Sequence, residues 1–194
     1  DIIAVATREF AEKGLSGARI DEIAALTRAS KRMIYYYYGS KEQLYITVLE
    51  TIYSNIRLAE SQLNLDALPA LQALEKLMRF TVDFKLAHPQ YTRLIMVENI
   101  HRSEYLRQSK VIQSLNNPAI EQLKAIYARG VAGGVFRKGL EPVDIHMMIS
   151  ALSGFTVSNK HTFSLIFKRD MDQPQEIDRM RNASVDALLR YVKI

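Results

Sequence analysis

From end to end, the apolar residues of this chain recur at intervals of three and four and almost nowhere alternate. Ile3, Ala6 and Phe10 share such a spacing, and so do Leu44, Val48, Leu49, Ile52 and Ile56. Leu71, Leu74, Leu77, Met78, Thr81 and Phe84 form another stripe, and Ile145, Met148, Ile149, Leu152 and Phe155 a further one. Gly14, Gly39, Pro69, Pro89, Pro142 and Pro174 punctuate the stripes where helices stop or start. This pattern restricts the chain to an all-α fold of about nine or ten helices, with no strand and no internal repeat.

The periodicity also sets the expected boundaries. A first helix ends at Gly14, and Leu15 to Arg19 is a loop. Short helices follow over Asp21 to Ala25 and from Ser30. Ser40-Lys-Glu-Gln43 reads as a capping box for a long helix running to about Gln62. Such a rod of about twenty residues spans about 30 Å. Leu63 to Pro69 is expected to be a linker, and Ser103 to Leu115 a helix broken by Asn116-Asn117-Pro118. The last two long helices fall at about 142–160 and 174–192. Residues 1–45 form a head and residues 46–194 a larger body. The helical pattern begins at Asp1 itself, which leaves room for a preceding arm, and such arms are often basic.

With 194 residues, about half of them apolar, the chain can bury one or two cores. No apolar run is long enough for a membrane span, no leader is visible, and there is no cysteine. A cytoplasmic protein without disulfides or cofactor fits these limits. The net charge is +5, yet residues 1–60 hold eight basic and eight acidic residues, so any anion-binding surface must be local.

One stretch is local in that sense. Between Arg28 and Lys41 there is no acid, and Lys31 and Arg32 stand beside four consecutive tyrosines, Tyr35 to Tyr38. If Ser30 caps a short helix, then Ala29, Ile34 and Tyr38 pack inward, leaving Lys31, Arg32, Tyr35 and Tyr36 outside. Cations and phenol hydroxyls on a short helix suit a phosphate backbone and the base edges of a major groove. A solvated basic turn beside a tyrosine-rich core is the plainer reading of the same residues. The preceding helix, with Ile20, Ile23 and Ala24 inward and a turn at Thr27-Arg28, completes a helix-turn-helix pattern.

Phe10-Ala-Glu-Lys-Gly14, Ile23-Ala24, Ser30-Lys31, Ile34-Tyr35-Tyr36 and Ser40-Lys41-Glu42-Gln43-Leu44 together resemble the N-terminal domain of TetR-family transcription regulators, over about residues 2 to 50. The resemblance implies that Lys31, Tyr35, Tyr36 and Lys41 contact DNA, mostly at phosphates. Tyr37 stands where the family often has a phosphate-binding histidine, and Tyr38 where a buried phenylalanine is usual. Arg28 replaces a common glycine, so the turn either avoids a positive φ or carries strain. Arg19 opens the second helix in place of Ser or Thr and is offered to a phosphate. Arg32 and Met33 occupy variable positions and are the expected base readers.

The body has three expected tasks. The two C-terminal helices are candidates for a homodimer interface, because two heads about 34 Å apart read successive major grooves of an operator; completing a monomeric core is the alternative. The resemblance further implies a small-molecule effector pocket. Phe84, Tyr91, Ile95, Met96, Asn99, Tyr127, Met147, Met148, Ser150 and Phe155 are candidate lining residues, each of which could equally be plain core. The effector would tilt the long helix, change the head spacing and release a repressor from double-stranded DNA. A DNA-free adaptor using the tyrosine patch for protein contact is the main rival. An enzyme is the weaker one: His88, His101, His146 and His161 are scattered, and no phosphate-cradling glycine loop or nucleophile elbow is present.

Overall fold

The computed structural model describes residues 1–194, with ten α-helices and no sheet. They are α1 (Ile2–Gly17), α2 (Ile20–Ala25), α3 (Lys31–Tyr38), α4 (Lys41–Ser61), α5 (Ala70–Ala87), α6 (Pro89–Ile100), α7 (Ile112–Ala132), α8 (Pro142–Ser158), α9 (Lys160–Phe167) and α10 (Pro174–Val192). Packing divides the chain into two compact units. Unit 1 is residues 1–56 with 89–115, and unit 2 is residues 57–88 with 116–194. The chain passes between them three times, within α4, between α5 and α6, and within α7.

Unit 1 closes around Phe10, Ile23, Ile34, Leu44, Tyr45, Leu49 and Leu94, all essentially inaccessible to solvent. Phe10 meets the Tyr45 ring edge-on at 5.1 Å, and Tyr45 meets Tyr105 at 5.5 Å. Lys13 pins α1 to α2 through Glu9 and Glu22, each at 2.7 Å. Gly14 has φ +67° and interrupts the helical geometry where the spacing predicts an end; a further turn then continues to Gly17.

Unit 2 packs α5, α8 and α10 around Leu74, Met78, Val82, Ile145, Ile149, Leu188 and Val192. The chain after α7 folds back so that Phe136 reaches this core, and the Arg137 amide donates to the Val192 carbonyl at 2.8 Å.

Three expectations are corrected. Residues 63–69 are not a loose linker: they hold a 3-10 turn, Leu65 is fully buried, and Arg129 donates to the Leu65 and Leu68 carbonyls. Residues 103–115 are not one helix. Arg102 and Ser103 take positive φ, and the buried Glu98 carboxylate accepts from the Tyr105 and Leu106 amides at 3.2 and 2.8 Å. That side-chain acceptor competes with the helical ladder and leaves only a 3-10 turn at Leu106–Gln108. Conversely, Pro118 does not break α7. Pro118 is the seventh residue of α7, so its ring removes one interior bond, and the helix continues past it because a proline φ is itself helical. Ser109 caps that end by accepting from the Ile112 amide at 3.2 Å.

The short helix α9 has no counterpart in the sequence reading. It buries no residue, and Leu165, Ile166 and Phe167 are 80%, 68% and 58% exposed.

Candidate nucleic-acid interface

Helix α3 is held from below by a single anchor. Ile34 is 1% exposed and sits in the unit 1 core, with Ala29 and half-buried Tyr38 packed beside it. The Ser30 hydroxyl accepts from the Met33 amide at 3.2 Å and so caps the helix as the sequence predicts. The helix stops at Gly39, whose φ of +78° only glycine takes without strain. Ser40 then accepts from the Gln43 amide at 3.1 Å, which realises one half of the capping box.

Everything else on α3 faces out. Tyr36 is 83% exposed and Tyr37 64%, their rings meeting edge-on at 5.4 Å. Arg32, Met33 and Tyr35 are exposed as well. Arg28 in the preceding turn has no positive φ, so the turn avoids the strain that a glycine would relieve. Its amide donates to the Asp1 carboxylate at 3.3 Å.

An open groove beside α3 gathers Arg19, Lys31, Tyr35 and Lys41 against the 16–18 segment. Two of its cations are already engaged. Lys31 pairs with Asp21 at 2.9 Å, and that carboxylate holds the ammonium pKa above its ordinary value. Both partners are exposed, so the pair is weak and a phosphate can displace Asp21. Lys41 donates to the Ala18 carbonyl at 3.0 Å and the Ser16 carbonyl at 3.5 Å. It thereby fixes the loop before α2 as well as presenting charge to the groove. Asp21 as a gate on Lys31 was not singled out in the sequence; its place ten residues before Lys31 carries no local signal.

The ten candidate ligand residues do not fall in one packing unit. Tyr91, Ile95, Met96 and Asn99 belong to unit 1, and Phe84, Tyr127, Met147, Met148, Ser150 and Phe155 to unit 2. The Tyr127 hydroxyl donates to the Arg137 carbonyl and accepts from the Leu140 amide, which makes it a clasp on the 137–140 turn. Met147 is 60% exposed, and the Asn99 amide turns back onto the Ile95 carbonyl.

Sequence reading missed a buried polar group in unit 2. Arg57 and Glu60 pair at 2.6 Å, and Lys85 donates to the Ser150 carbonyl at 3.0 Å. Burial pushes the Lys85 ammonium down to about 8, against which Glu60 works. Burial first, then Arg57 and Lys85, lower the His146 pKa. A signal was present: Lys85 continues the stripe of Met78 and Val82, and Glu60 that of Ile52 and Ile56. A charge inside an apolar stripe must be buried or must end it.

Comparison with known proteins agrees with this geometry. The family model described as bacterial regulatory proteins, tetR family, matches residues 2–48, and the tetracyclin repressor-like C-terminal domain matches residues 69–188. The chain is 37% identical over 175 residues to the HTH-type transcriptional repressor NicS of Pseudomonas putida, covering 90% of this chain and 82% of that protein. It is 30% identical to the HTH-type transcriptional repressor SCO4008 of Streptomyces coelicolor, over 80% of this chain and 76% of the relative. A tetR-family regulatory protein from Rhodococcus RHA1 shares the fold at a TM-score of 0.76 and 20% identity, over 99% of this chain and 95% of the other. A helix-turn-helix whose second helix bares its cations and phenols, joined to a matching C-terminal domain, places the chain in the tetR family of DNA-binding transcriptional regulators.

Proposed function

We propose that this regulator is a cytoplasmic repressor that binds a palindromic operator as a homodimer and leaves it when a small molecule binds. The observation that carries the DNA half is α3 itself: one buried anchor, Ile34, and an outer surface of Arg32, Met33, Tyr35, Tyr36 and Tyr37. In the proposal Arg32 and Met33 read bases. Arg19, Arg28, Lys31, Tyr35, Tyr36, Tyr37 and Lys41 hold phosphates. Residues 1–45 serve as the DNA-binding part and residues 46–194 as the effector and dimerisation part. No catalytic step is assigned to the chain.

The dimer is proposed to form through α8 and α10, to which α9 adds its exposed apolar end. On α8, Val143, Met147 and Phe155 lie exposed on the side away from buried Ile145 and Ile149. On α10 the apolar stripe of Val185, Leu188 and Val192 is used inside unit 2, so its contribution to an interface is polar. For the effector, Phe84 and Met148 are proposed as apolar walls near the buried Lys85 and His146, a mixture suited to a mainly apolar ligand with a polar end. Helix α4 runs unbroken from Lys41, in the DNA groove, to Glu60, beside Lys85. A ligand that shifts Glu60 therefore acts on the rod that carries Lys41. Coupling of about 1–3 kcal/mol would change operator affinity about 5- to 150-fold.

The test is selection of bound sequences from random DNA, followed by titration of the selected operator across a salt series. The expected result is a palindromic site and an affinity that falls steeply with salt, as counterion release requires. Binding without sequence preference, or without salt dependence, would sink the proposal.

A further inference from the structure

Unit 1 contains a cavity of about 280 Å³ that the operator and effector reading does not use. Its walls come from the end of α1, the start of α4 and the end of α6. Three carboxylates line it, Glu42, Glu98 and Glu104, against one cation, Lys41. Lys41 donates to the Ser16 and Ala18 carbonyls but keeps its charge, and three carboxylates outnumber it. Glu98 is 2% exposed. Both amide bonds that it accepts fall on one oxygen, Oε2, and the nearest other donor is the Tyr45 hydroxyl.

A further feature points the same way. Tyr45 lines the cavity at 1% exposure, and its hydroxyl leans toward the Glu98 carboxylate without reaching good hydrogen-bond geometry. Buried hydroxyls are ordinarily partnered, because an unmet one costs free energy. Burial and the Glu98 carboxylate both resist ionisation of this phenol, and burial with Glu104, Glu42 and Glu98 does the same at Tyr105. The cavity is thus electronegative and floored by two aromatic rings set edge-on. Its histidine and carboxylates are not gathered closely enough to hold a metal ion. An organic cation with N–H donors answers these features together: the buried Glu98 carboxylate, the poorly met Tyr45 hydroxyl, the rings and the excess negative charge.

We propose that this cavity binds a small protonated amine, with Glu98 and Tyr45 as its inner partners and Glu104 at its mouth. Lys41, Ser16 and Glu42 line both this cavity and the groove beside α3, so the bound amine rests against the DNA-facing surface.

The experiment is calorimetric titration of the full chain with 1,4-diaminobutane, and with n-butanol as the uncharged analogue, at constant ionic strength. The diamine is expected to bind at one site and raise the melting temperature, and n-butanol to do neither. Glu98→Gln should weaken diamine binding about tenfold or more, as loss of a charge-assisted bond does. Glu104→Gln, an exposed change that leaves the core intact, should weaken it several-fold. Tyr45→Phe should weaken it too, while leaving the melting temperature of the ligand-free protein equal or higher, because no well-formed bond is lost. No binding of the diamine, equal binding of n-butanol, or unchanged affinity in Glu104→Gln together with Tyr45→Phe overturns the proposal.

Discussion

Helices α3 and α9 are each eight residues long, and each presents three consecutive large side chains to solvent. The likeness ends there. On α3 the exposed residues are Tyr35, Tyr36 and Tyr37, with Lys31 and Arg32 beside them. On α9 they are Leu165, Ile166 and Phe167, which have no polar atom to hydrate. A phenol-and-cation surface is stable in water and ready for a phosphate. An aliphatic surface of this kind loses free energy in water until another apolar face covers it. Helix α3 is capped by Ser30 and anchored by Ile34, whereas α9 has neither a side-chain cap nor a buried residue. Helix α3 is therefore fixed by its cap and its one core anchor with a polar surface left outside, while α9 has neither and leaves an apolar surface in water.

The largest expected effect breaks this contrast on the α9 side. Leu165→Asp with Ile166→Asp should raise the dissociation constant of the proposed dimer about a hundredfold in sedimentation equilibrium, as loss of two aliphatic contacts buried in that interface would. The melting of unit 2 should not change, because neither side chain is buried within it. Unaltered self-association would remove α9 from the interface.

Another test compares the lysines of the two units. The Lys31 ammonium pKa is raised by an exposed partner, while the Lys85 ammonium is depressed by burial to about 8. Below pH 8, Lys85 is charged in folded and unfolded chains alike, and the burial cost is borne in full. Between about 8 and the ordinary 10.5, the unfolded chain binds a proton that the folded one has shed, so stability rises with pH. Lys85→Met should lose this rise, and its advantage over the natural chain, about 2 kcal/mol at neutral pH, should shrink as pH climbs through that window. Urea melts at pH 7, 9 and 10.5 check it.

On the α3 side, Lys41→Ala and Tyr35→Phe should each weaken operator binding up to about tenfold, uniformly across sequences, in a fluorescence anisotropy titration. Arg32→Ala should also change which base is preferred. If Lys41→Ala changes nothing, its carbonyl contacts are its whole role. The smallest effect compares the helix starts. Ser30→Ala should cost about 1 kcal/mol in thermal melts. Asn159→Ala, before α9, should cost nothing measurable, since no side chain caps that helix.

These differences also mark what is legible before folding. The cap at Ser30, the stop at Gly39 and the inward Ile34 are local facts, set by spacings of three and four residues. The same holds for the starts at Pro142 and Pro174. Elsewhere local rules mislead. The 103–115 segment has helical spacing, but a carboxylate from Glu98 takes its amides. The Tyr127 hydroxyl clasps a turn ten residues away, a contact that the local sequence does not announce. Asp21 engages Lys31, and Glu60 faces Lys85, across gaps that no periodicity reports.

By itself, then, the amino-acid order determined that this chain is helical, where most helices begin and end, and that a cationic tyrosine helix stands near its start. Those properties depend on backbone bonds and side-chain spacing within one or two turns. Which charges are buried, which aromatic hydroxyl is left waiting and which apolar residues stay in water were decided only in three dimensions. Each is a matter of distance between segments far apart along the chain, where the free energy of burial is settled by neighbours that the local sequence does not contain.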